Sequence, residues 1–261
     1  MFRKTLRDLR GQVFGWGLGL AVPSVAMILF FPYVRDLSEL EDLLRALPPA
    51  IQQMVGDPAA LTGLEGFLRL KLYSSVLPLF LGAFVVMAAA SAIAGERERG
   101  TIDLLLAQPV RRWRVVVEKF AALSVAVAVV CAFVAGGLVV GASLADVEAD
   151  RGWIVLATFN AVPLGMVLGG IAFVASCCLS RARPVLVIGG VVIAWSLLLE
   201  TLVPMVDTLR PWRPLSPLYP YAESLPLAGG VQPGYVVLQL AFAAVLVAAA
   251  AWIFERKDLV S

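Results

Sequence analysis

Six long apolar runs constrain this chain more than any other feature of its sequence. They cover, approximately, residues 12–34, 72–94, 120–145, 153–180, 185–206 and 234–254. Glu200 is the one charged residue inside them. A helix needs about 20 predominantly apolar residues to cross the hydrocarbon core of a bilayer. The runs therefore predict an all-α membrane protein with six transmembrane helices, built as a single domain over residues 1–261.

Composition excludes several classes of protein. Charged residues make up 15% of the chain, whereas a soluble domain carries about 25%. The chain has no histidine, which removes serine–histidine catalysis and histidine metal sites. It also lacks the Gly-x-x-x-x-Gly-Lys-Ser/Thr sequence, so we expect no ATP bound by that loop. Cys131, Cys177 and Cys178 lie inside apolar runs, which is typical of small hydrophobic residues and not of disulfides or metal ligands.

One polar stretch, residues 95–119, separates two of the apolar runs and reads GERERGTIDLLLAQPVRRWRVVVEK. Its charges cannot lie in hydrocarbon, so the chain has left the bilayer by Glu96. Three apolar side chains then fall on one helical face: Ile102, Leu105 and Leu106. Asp103 lies off that face. A helix break is predicted near Gln108, because the residue before a proline, here Pro109, disfavours the helical conformation. Two interpretations stay open: a stiff amphipathic element that passes force to a soluble partner, or a charged loop on the lipid headgroups.

The distribution of basic residues predicts the orientation. Fourteen of the 21 lysines and arginines lie in the segments that share a side with residues 95–119, and seven lie on the other side. Basic loops favour the cytoplasm, so both termini and this stretch are expected there. The first ten residues, MFRKTLRDLR, carry apolar side chains on one face and basic ones around the rest. They predict a short interfacial helix, with a frayed terminus as the alternative.

Residues 95–110, GERERGTIDLLLAQPV, resemble the G-E-x-E-x-G-T-[LI]-[ED]-L-L-L-x-x-P-V stretch of ABC-2 type transporter permeases, which also follows the second span. Three weaker pieces agree with this resemblance. Residues 10–20 are similar to the entry of the family's first span, and residues 47–68 to its first outer loop. Residues 254–259, FERKDL, resemble its closing F-x-R-[RK]-D-[LI]. The resemblance thus covers the whole chain in order.

The resemblance implies a permease domain over residues 1–261 that pairs with a second permease, identical or related, to form a translocation pathway. Two separate ATP-binding cassette subunits would drive it, so ATP and magnesium would be bound there and no cofactor by this chain. Residues 95–119 would supply the coupling helix that sits in a groove of the ATPase, and the N-terminal helix would be the family's elbow helix. The resemblance implies an exporter in the plasma or inner membrane. The lipid bilayer is an expected partner, and no nucleic-acid partner is expected.

The resemblance also gives the residues of the central stretch their roles. Polar contacts with the ATPase are expected from Glu96, Arg97, Glu98, Arg99 and Asp103, with Thr101 between them in the motif. Apolar anchoring is expected from Ile102, Leu105 and Leu106. Gly100 either lets the ATPase backbone approach closely or ends the helix. No residue of the chain is expected to be catalytic or to bind a metal.

Two polar residues inside the predicted spans are candidates for the pathway. Glu200 lies in the outer part of the fifth span, where a carboxylate is costly unless it faces water or a partner. It either lines the exit of the pathway or extends outward to the membrane surface. Asn160, in the fourth span and followed by Pro163, either hydrogen-bonds a neighbouring helix or contacts substrate.

Two further classes of function remain open at this stage. A membrane-embedded lipid-modifying enzyme would need clustered carboxylates or a nucleophile near a membrane face, and the nearest cluster, Glu96, Glu98 and Asp103, lacks metal-ligand spacing. A membrane anchor or sensor would recruit an ATPase without transporting anything. Within transport, the sequence shows no large soluble docking domain for a binding protein, which favours export. The sequence names neither the substrate nor the second permease.

Overall fold

The structure, a computed structural model, describes residues 2–35, 63–98, 100, 111–225 and 232–256. Within these ranges the chain is helical and contains no strand. The helices are α1 Phe2–Arg35, α2 Leu64–Ala92, α3 Ala94–Glu98, α4 Arg112–Leu144, α5 Arg151–Phe159, α6 Ala161–Cys178, α7 Ala182–Leu202, α8 Leu218–Ser224 and α9 Pro233–Arg256. In this part of the chain six segments, with α5 and α6 counted as one, are long and apolar enough to span a membrane. The predicted all-α fold with six transmembrane helices is confirmed.

The N-terminal helix is not a separate element, contrary to the prediction. Residues 2–10 are helical, but they continue without a break into the first span as one helix, α1. No proline separates the two parts, since the prolines of α1 are Pro23 and Pro32. The backbone N–H of Phe2 also donates to the Glu118 side chain of α4 at 3.1 Å, which holds the first turn of α1 beside α4.

Two other spans begin earlier than predicted. The second was expected from residue 72 and begins at Leu64, because Leu64 and Phe67 already face the core. It passes through a π-helical segment, Arg69–Val76, before it continues as a regular α-helix. The third was expected from residue 120 and begins at Arg112, because Val115 and Val116 are buried too. Apolar side chains on one face thus extend these helices beyond the uncharged runs.

The fourth span is broken at Asn160 into α5 and α6, where a single run was predicted over 153–180. Pro163 has no backbone N–H to donate to the preceding turn, which is a common cause of such a break. The segment Arg151–Cys178 is the most buried of the six spans, since 72% of its most apolar stretch is buried inside the protein. It is therefore the central helix of the bundle, and α2, α4 and α9 pack around it.

Close helix packing depends on small residues. A Cβ atom on Gly137 of α4 would lie 2.8 Å from the backbone oxygen of Ala21 in α1. Gly141 of α4 similarly faces the backbone of Val25 in α1. Residues 21 and 25 of α1 therefore face residues 137 and 141 of α4 in the same order, so the two helices run parallel. Glycine at such positions lets two membrane helices approach backbone to backbone.

The two ends of the bundle differ, and each takes the name of its short helix. The α3 end contains the starts of α1, α4 and α7 and the last turns of α2, α6 and α9, which contact one another there. The α8 end contains α8 and a 3₁₀ segment, Asp207–Leu215, that connects α7 to α8. The parity of the spans places the two described ends of the chain, residues 2 and 256, at the α3 end.

Candidate functional site

The first part of the predicted coupling stretch forms α3, a helix of five residues. Ile93, with φ −121° and ψ −61°, separates α3 from α2. Gly100, with φ 67°, lies in the left-handed region and its N–H donates to the carbonyl of Arg97 at 3.0 Å. Glycine adopts this conformation without steric cost. Of the two predicted roles for Gly100, this geometry corresponds to ending the helix.

Glu96 joins α3 to α4 through a buried ion pair. Its carboxylate contacts the ammonium group of Lys119, whose side chain is only 3% exposed, while that of Glu96 is 17% exposed. The same ammonium group donates to the backbone carbonyl of Ala92 in the last turn of α2. Buried charges of this kind are tolerated when they are paired and hydrogen-bonded. Lys119 therefore connects α2, α3 and α4 at one point.

Arg97 joins α3 to the ends of α6 and α9. Its Nη1 donates to the carbonyl of Cys177 at 3.1 Å, and its guanidinium carbon lies 5.4 Å from the centre of the Phe254 ring. Burial lowers the pKa of the guanidinium below its ordinary value. Its Nε and Nη2 atoms are buried and have no hydrogen-bond partner among the residues that the structure describes. The side chain thus lies between two spans, in contact with both.

Glu98 joins α3 to the start of α7. Its carboxylate accepts a hydrogen bond from the backbone N–H of Ala182, the first residue of α7, at 3.2 Å. The first turn of a helix has backbone N–H groups without intrahelical partners, and a carboxylate satisfies one of them. Glu98 is exposed, so this contact lies at the edge of the α3 end.

The signs of these charges match the helix ends that they contact. Lys119 and Arg97 donate to carbonyls in the last turns of α2 and α6, where the helix dipole is negative. Glu98 accepts from the first turn of α7, where the dipole is positive. The arrangement links three helix ends through three residues of α3 and one lysine of α4.

The structure brings three of the predicted ATPase contacts, Glu96, Arg97 and Glu98, together on helix ends of their own chain. The other predicted residues of the stretch lie outside the described residues: Arg99, Thr101, Ile102, Asp103, Leu105 and Leu106. Sequence reasoning missed Lys119 as a site residue. The signal for it was present, because Lys119 immediately precedes an apolar run and shares a helix face with Val115 and Val116.

Glu200 lies at the α8 end in a cluster of charges. Its carboxylate accepts from Arg213 of the 3₁₀ segment at 3.1 Å, and Arg213 also pairs with Glu223 of α8 at 2.8 Å. Burial disfavours the charge of Arg213, but the hydrogen bond and charge of Glu200, with those of Glu223, outweigh it and raise its pKa. A cavity of about 460 Å³ beside this cluster is lined by Glu200, Arg213 and Tyr219 among others. Glu200 therefore lines a space at the outermost part of its span.

Asn160 is occupied by hydrogen bonds to α8. Its Nδ2 donates to the Ser224 hydroxyl at 2.9 Å, and that hydroxyl lies 3.1 Å from its Oδ1. Close by, the Tyr73 hydroxyl of α2 lies 2.8 Å from the Thr158 hydroxyl, and the Tyr221 hydroxyl donates to the Tyr73 carbonyl at 3.0 Å. All these side chains are buried. Of the two predicted roles of Asn160, the structure shows the hydrogen bond to a neighbouring helix.

The fold and the α3 end define a multi-pass membrane protein with a charged contact site at one end of its helices. A family model described as "ABC-2 family transporter protein" matches residues 1–259. The chain belongs to this family, and it is a transmembrane permease, the membrane component of an ABC transporter. Permeases of this family generally work with ATP-binding subunits. A search of curated proteins gives no match to the chain.

Proposed function

We propose that the chain is the membrane subunit of an ABC exporter that forms its translocation pathway as a dimer and is driven by two separate ATP-binding subunits. ATP and magnesium are bound in those subunits, and their closure on ATP moves the α3 end. The two permeases then rock against each other and open a pathway toward the α8 end.

One observation carries the proposal more than any other. The stretch 95–111, which resembles the family's coupling segment, joins α2 to α4 at the end of the bundle where six spans start or finish. A soluble subunit that pushes on this stretch acts close to all six at once. The single residue Arg97 contacts both α6 and α9, and Glu98 contacts α7. A compact contact area is what coupling to a separate motor subunit requires.

The proposed orientation places the α3 end in the cytoplasm of a plasma or inner membrane. The excess of basic residues on that side supports it. Export is supported by the lengths of the connecting segments. The two longest join consecutive spans over residues 36–63 and 203–232. Each has too few residues to bury the core of a docking domain for a binding protein.

The proposal is tested by purifying the tagged chain from its native membrane in a mild detergent and assaying the sample for ATP hydrolysis. We expect a stoichiometric ATP-binding subunit and hydrolysis that the chain alone does not show. A second, different permease in the sample would establish a heterodimer. Reproducible recovery of the folded chain without any ATP-binding protein would contradict the proposal.

A further inference from the structure

We propose that Glu96, Arg97, Glu98 and Lys119 form a strut, called the α3 strut, that carries a displacement of α3 to the ends of α2, α6 and α7 together. In this inference they are positioning residues that act through their own chain, and the ATP-binding subunit contacts other residues. The inference rests on the proposed function, in which that subunit acts on the stretch 95–119.

The first argument is the direction of the contacts. The charged groups of three successive residues each reach a different element: Glu96 reaches α4, Arg97 reaches α6 and α9, and Glu98 reaches α7. A helix of five residues has too few contacts of its own to be held in place by apolar packing, and Ala94 is its one buried side chain. Its position is therefore set by these charged contacts. Whatever moves α3 also pulls on the helix ends to which it is bound.

The second argument is burial. The pair of Glu96 and Lys119 is almost enclosed, whereas the pair of Arg114 and Glu118 on the same end of α4 leaves the arginine side chain 64% exposed. Separating an enclosed pair leaves a charge in a poorly solvated place, which is strongly unfavourable. Separating an exposed pair costs little because water replaces the partner. The α3 strut therefore moves α3 and α4 as one body, and the exposed pair does not.

The third argument is polarity. Lys119, Arg97 and Glu98 each contact a helix terminus of the opposite sign, so these contacts favour one arrangement of the ends of α2, α6 and α7. Reversing a single charge places it against a terminus or a partner of its own sign. Reversing both members of the buried pair restores their mutual attraction, although residue 119 then no longer donates to the Ala92 carbonyl. This difference separates a strut from a surface that contacts another protein.

The test compares Glu96→Lys, Lys119→Glu and the double variant that carries both changes. Arg7→Gln is the control, because it removes an exposed charge at the α3 end that lies outside residues 95–119. Each tagged chain is purified from its native membrane together with its ATP-binding subunit. The amount of that subunit per permease and the rate of ATP hydrolysis per complex are measured. An unmodified chain that brings no ATP-binding subunit would refute the proposed function and not the strut alone.

We expect each single reversal to lower hydrolysis about tenfold, a typical coupling between contacting residues. The double variant should be about threefold more active than Glu96→Lys, because the ion pair is restored while the Ala92 carbonyl still lacks its donor from residue 119. Arg7→Gln should stay within about twofold of the unmodified chain. If Glu96 instead contacts the ATP-binding subunit, the double variant still presents a reversed charge to it. A double variant as impaired as Glu96→Lys would therefore overturn the strut.

A second pair of variants applies if the reversed charges prevent folding. Glu96→Gln leaves Lys119 buried without its charged partner, and adding Lys119→Met removes that charge. The strut predicts that the second change recovers part of the lost hydrolysis. No recovery, with both proteins monodisperse after purification, would contradict it.

Discussion

The two ends of the bundle are held together by different chemistry. At the α3 end, charged side chains lie between helix ends, and the central one, Lys119, is 3% exposed. At the α8 end, the buried contacts are between neutral groups, such as Asn160 with Ser224 and Tyr73 with Thr158. At the α8 end Glu200 is 16% exposed, but its partner Arg213 is 31% exposed and the pair of Asp207 and Arg210 is mostly exposed. Both ends carry exposed charges, and the difference is that the α3 end also encloses a cation, Lys119, whereas the enclosed contacts of the α8 end are mainly neutral hydrogen bonds.

This difference indicates which end is suited to move as a unit. A buried ion pair loses much when either partner is displaced, so it constrains its elements to move together. A half-exposed pair can separate and exchange its partner for water at small cost. In the proposed mechanism, the α3 end passes on a displacement without losing its internal contacts. The Arg213 cluster of the α8 end can open while the neutral hydrogen bonds beneath it persist.

The largest effect on stability is expected at the buried ion pair. Glu96→Gln leaves the ammonium group of Lys119 enclosed without a counter-charge, and such a change destabilises proteins by about 3–5 kcal/mol. The free energy of unfolding in detergent micelles would be measured by denaturant titration. Arg114→Gln is the control, because its side chain is mostly exposed. Equal stability of the two variants would show that the enclosed pair contributes no more to the α3 end than the exposed pair does.

The neutral network is expected to give the next largest effect. Asn160→Leu keeps the volume of the side chain but removes its two buried hydrogen bonds, to the Ser224 hydroxyl and to the Tyr221 carbonyl. Each such bond contributes about 0.5–1.5 kcal/mol, so the expected loss is about 1–3 kcal/mol. Ser143→Ala, which removes an exposed hydroxyl bonded within its own helix, serves as the control in the same titration. A loss as large in Ser143→Ala as in Asn160→Leu would refute the role of the network.

A backbone effect of intermediate size is expected at the C-terminus of α3. Gly100→Ala forces a side chain into the left-handed region at φ 67°, at a cost of about 1–2 kcal/mol. The matched control, Gly136→Ala, lies inside α4 with no atom within 4 Å of the added Cβ. It should instead stabilise the protein by about 0.5–1 kcal/mol. Shifts of the same sign in both variants would contradict the role assigned to Gly100.

The smallest effect is expected at the charges of the α8 end. Glu223→Gln removes one of the two carboxylates that pair with Arg213, and both members of the pair are about one third exposed. The expected loss is about 0.2–1 kcal/mol, and it should shrink in high salt. Asp207→Asn, which breaks a mostly exposed pair with Arg210, should have no measurable effect. A salt-independent loss comparable to that of Glu96→Gln would remove the contrast between the two ends.

Much of the fold was predictable because the bilayer imposes a length on every span. Each of the six predicted spans has a helix in the structure. The ends of the helices were less predictable, since lack of charge marks the hydrocarbon core and not the end of the helix. Apolar faces carry α2 back to Leu64 and α4 back to Arg112. The joining of the N-terminal helix to the first span depends on α4, which lies beside it and is distant in sequence.

The candidate site was predictable only in part. The motif at residues 95–110 and its charges could be read directly, and the sequence placed them at a membrane surface. Their partners could not be read in the same way. Arg97 contacts a backbone carbonyl 80 residues away, and Glu98 a backbone N–H 84 residues away. Every residue except proline has the same backbone N–H and carbonyl groups, so the sequence does not indicate which of them a side chain contacts. These partners are seen only once the helices are packed.

The central claim is that the α3 end faces the cytoplasm and receives the ATP-binding subunit. Cys178, at the end of α6, tests it without any engineered residue, because its side chain is exposed whereas Cys131 and Cys177 are buried. A membrane-impermeant maleimide should label the chain in inside-out vesicles and not in intact cells. The label should disappear in Cys178→Ser, and bound ATP-binding subunit should slow it. Labelling of Cys178 from the outside of intact cells would contradict the claim.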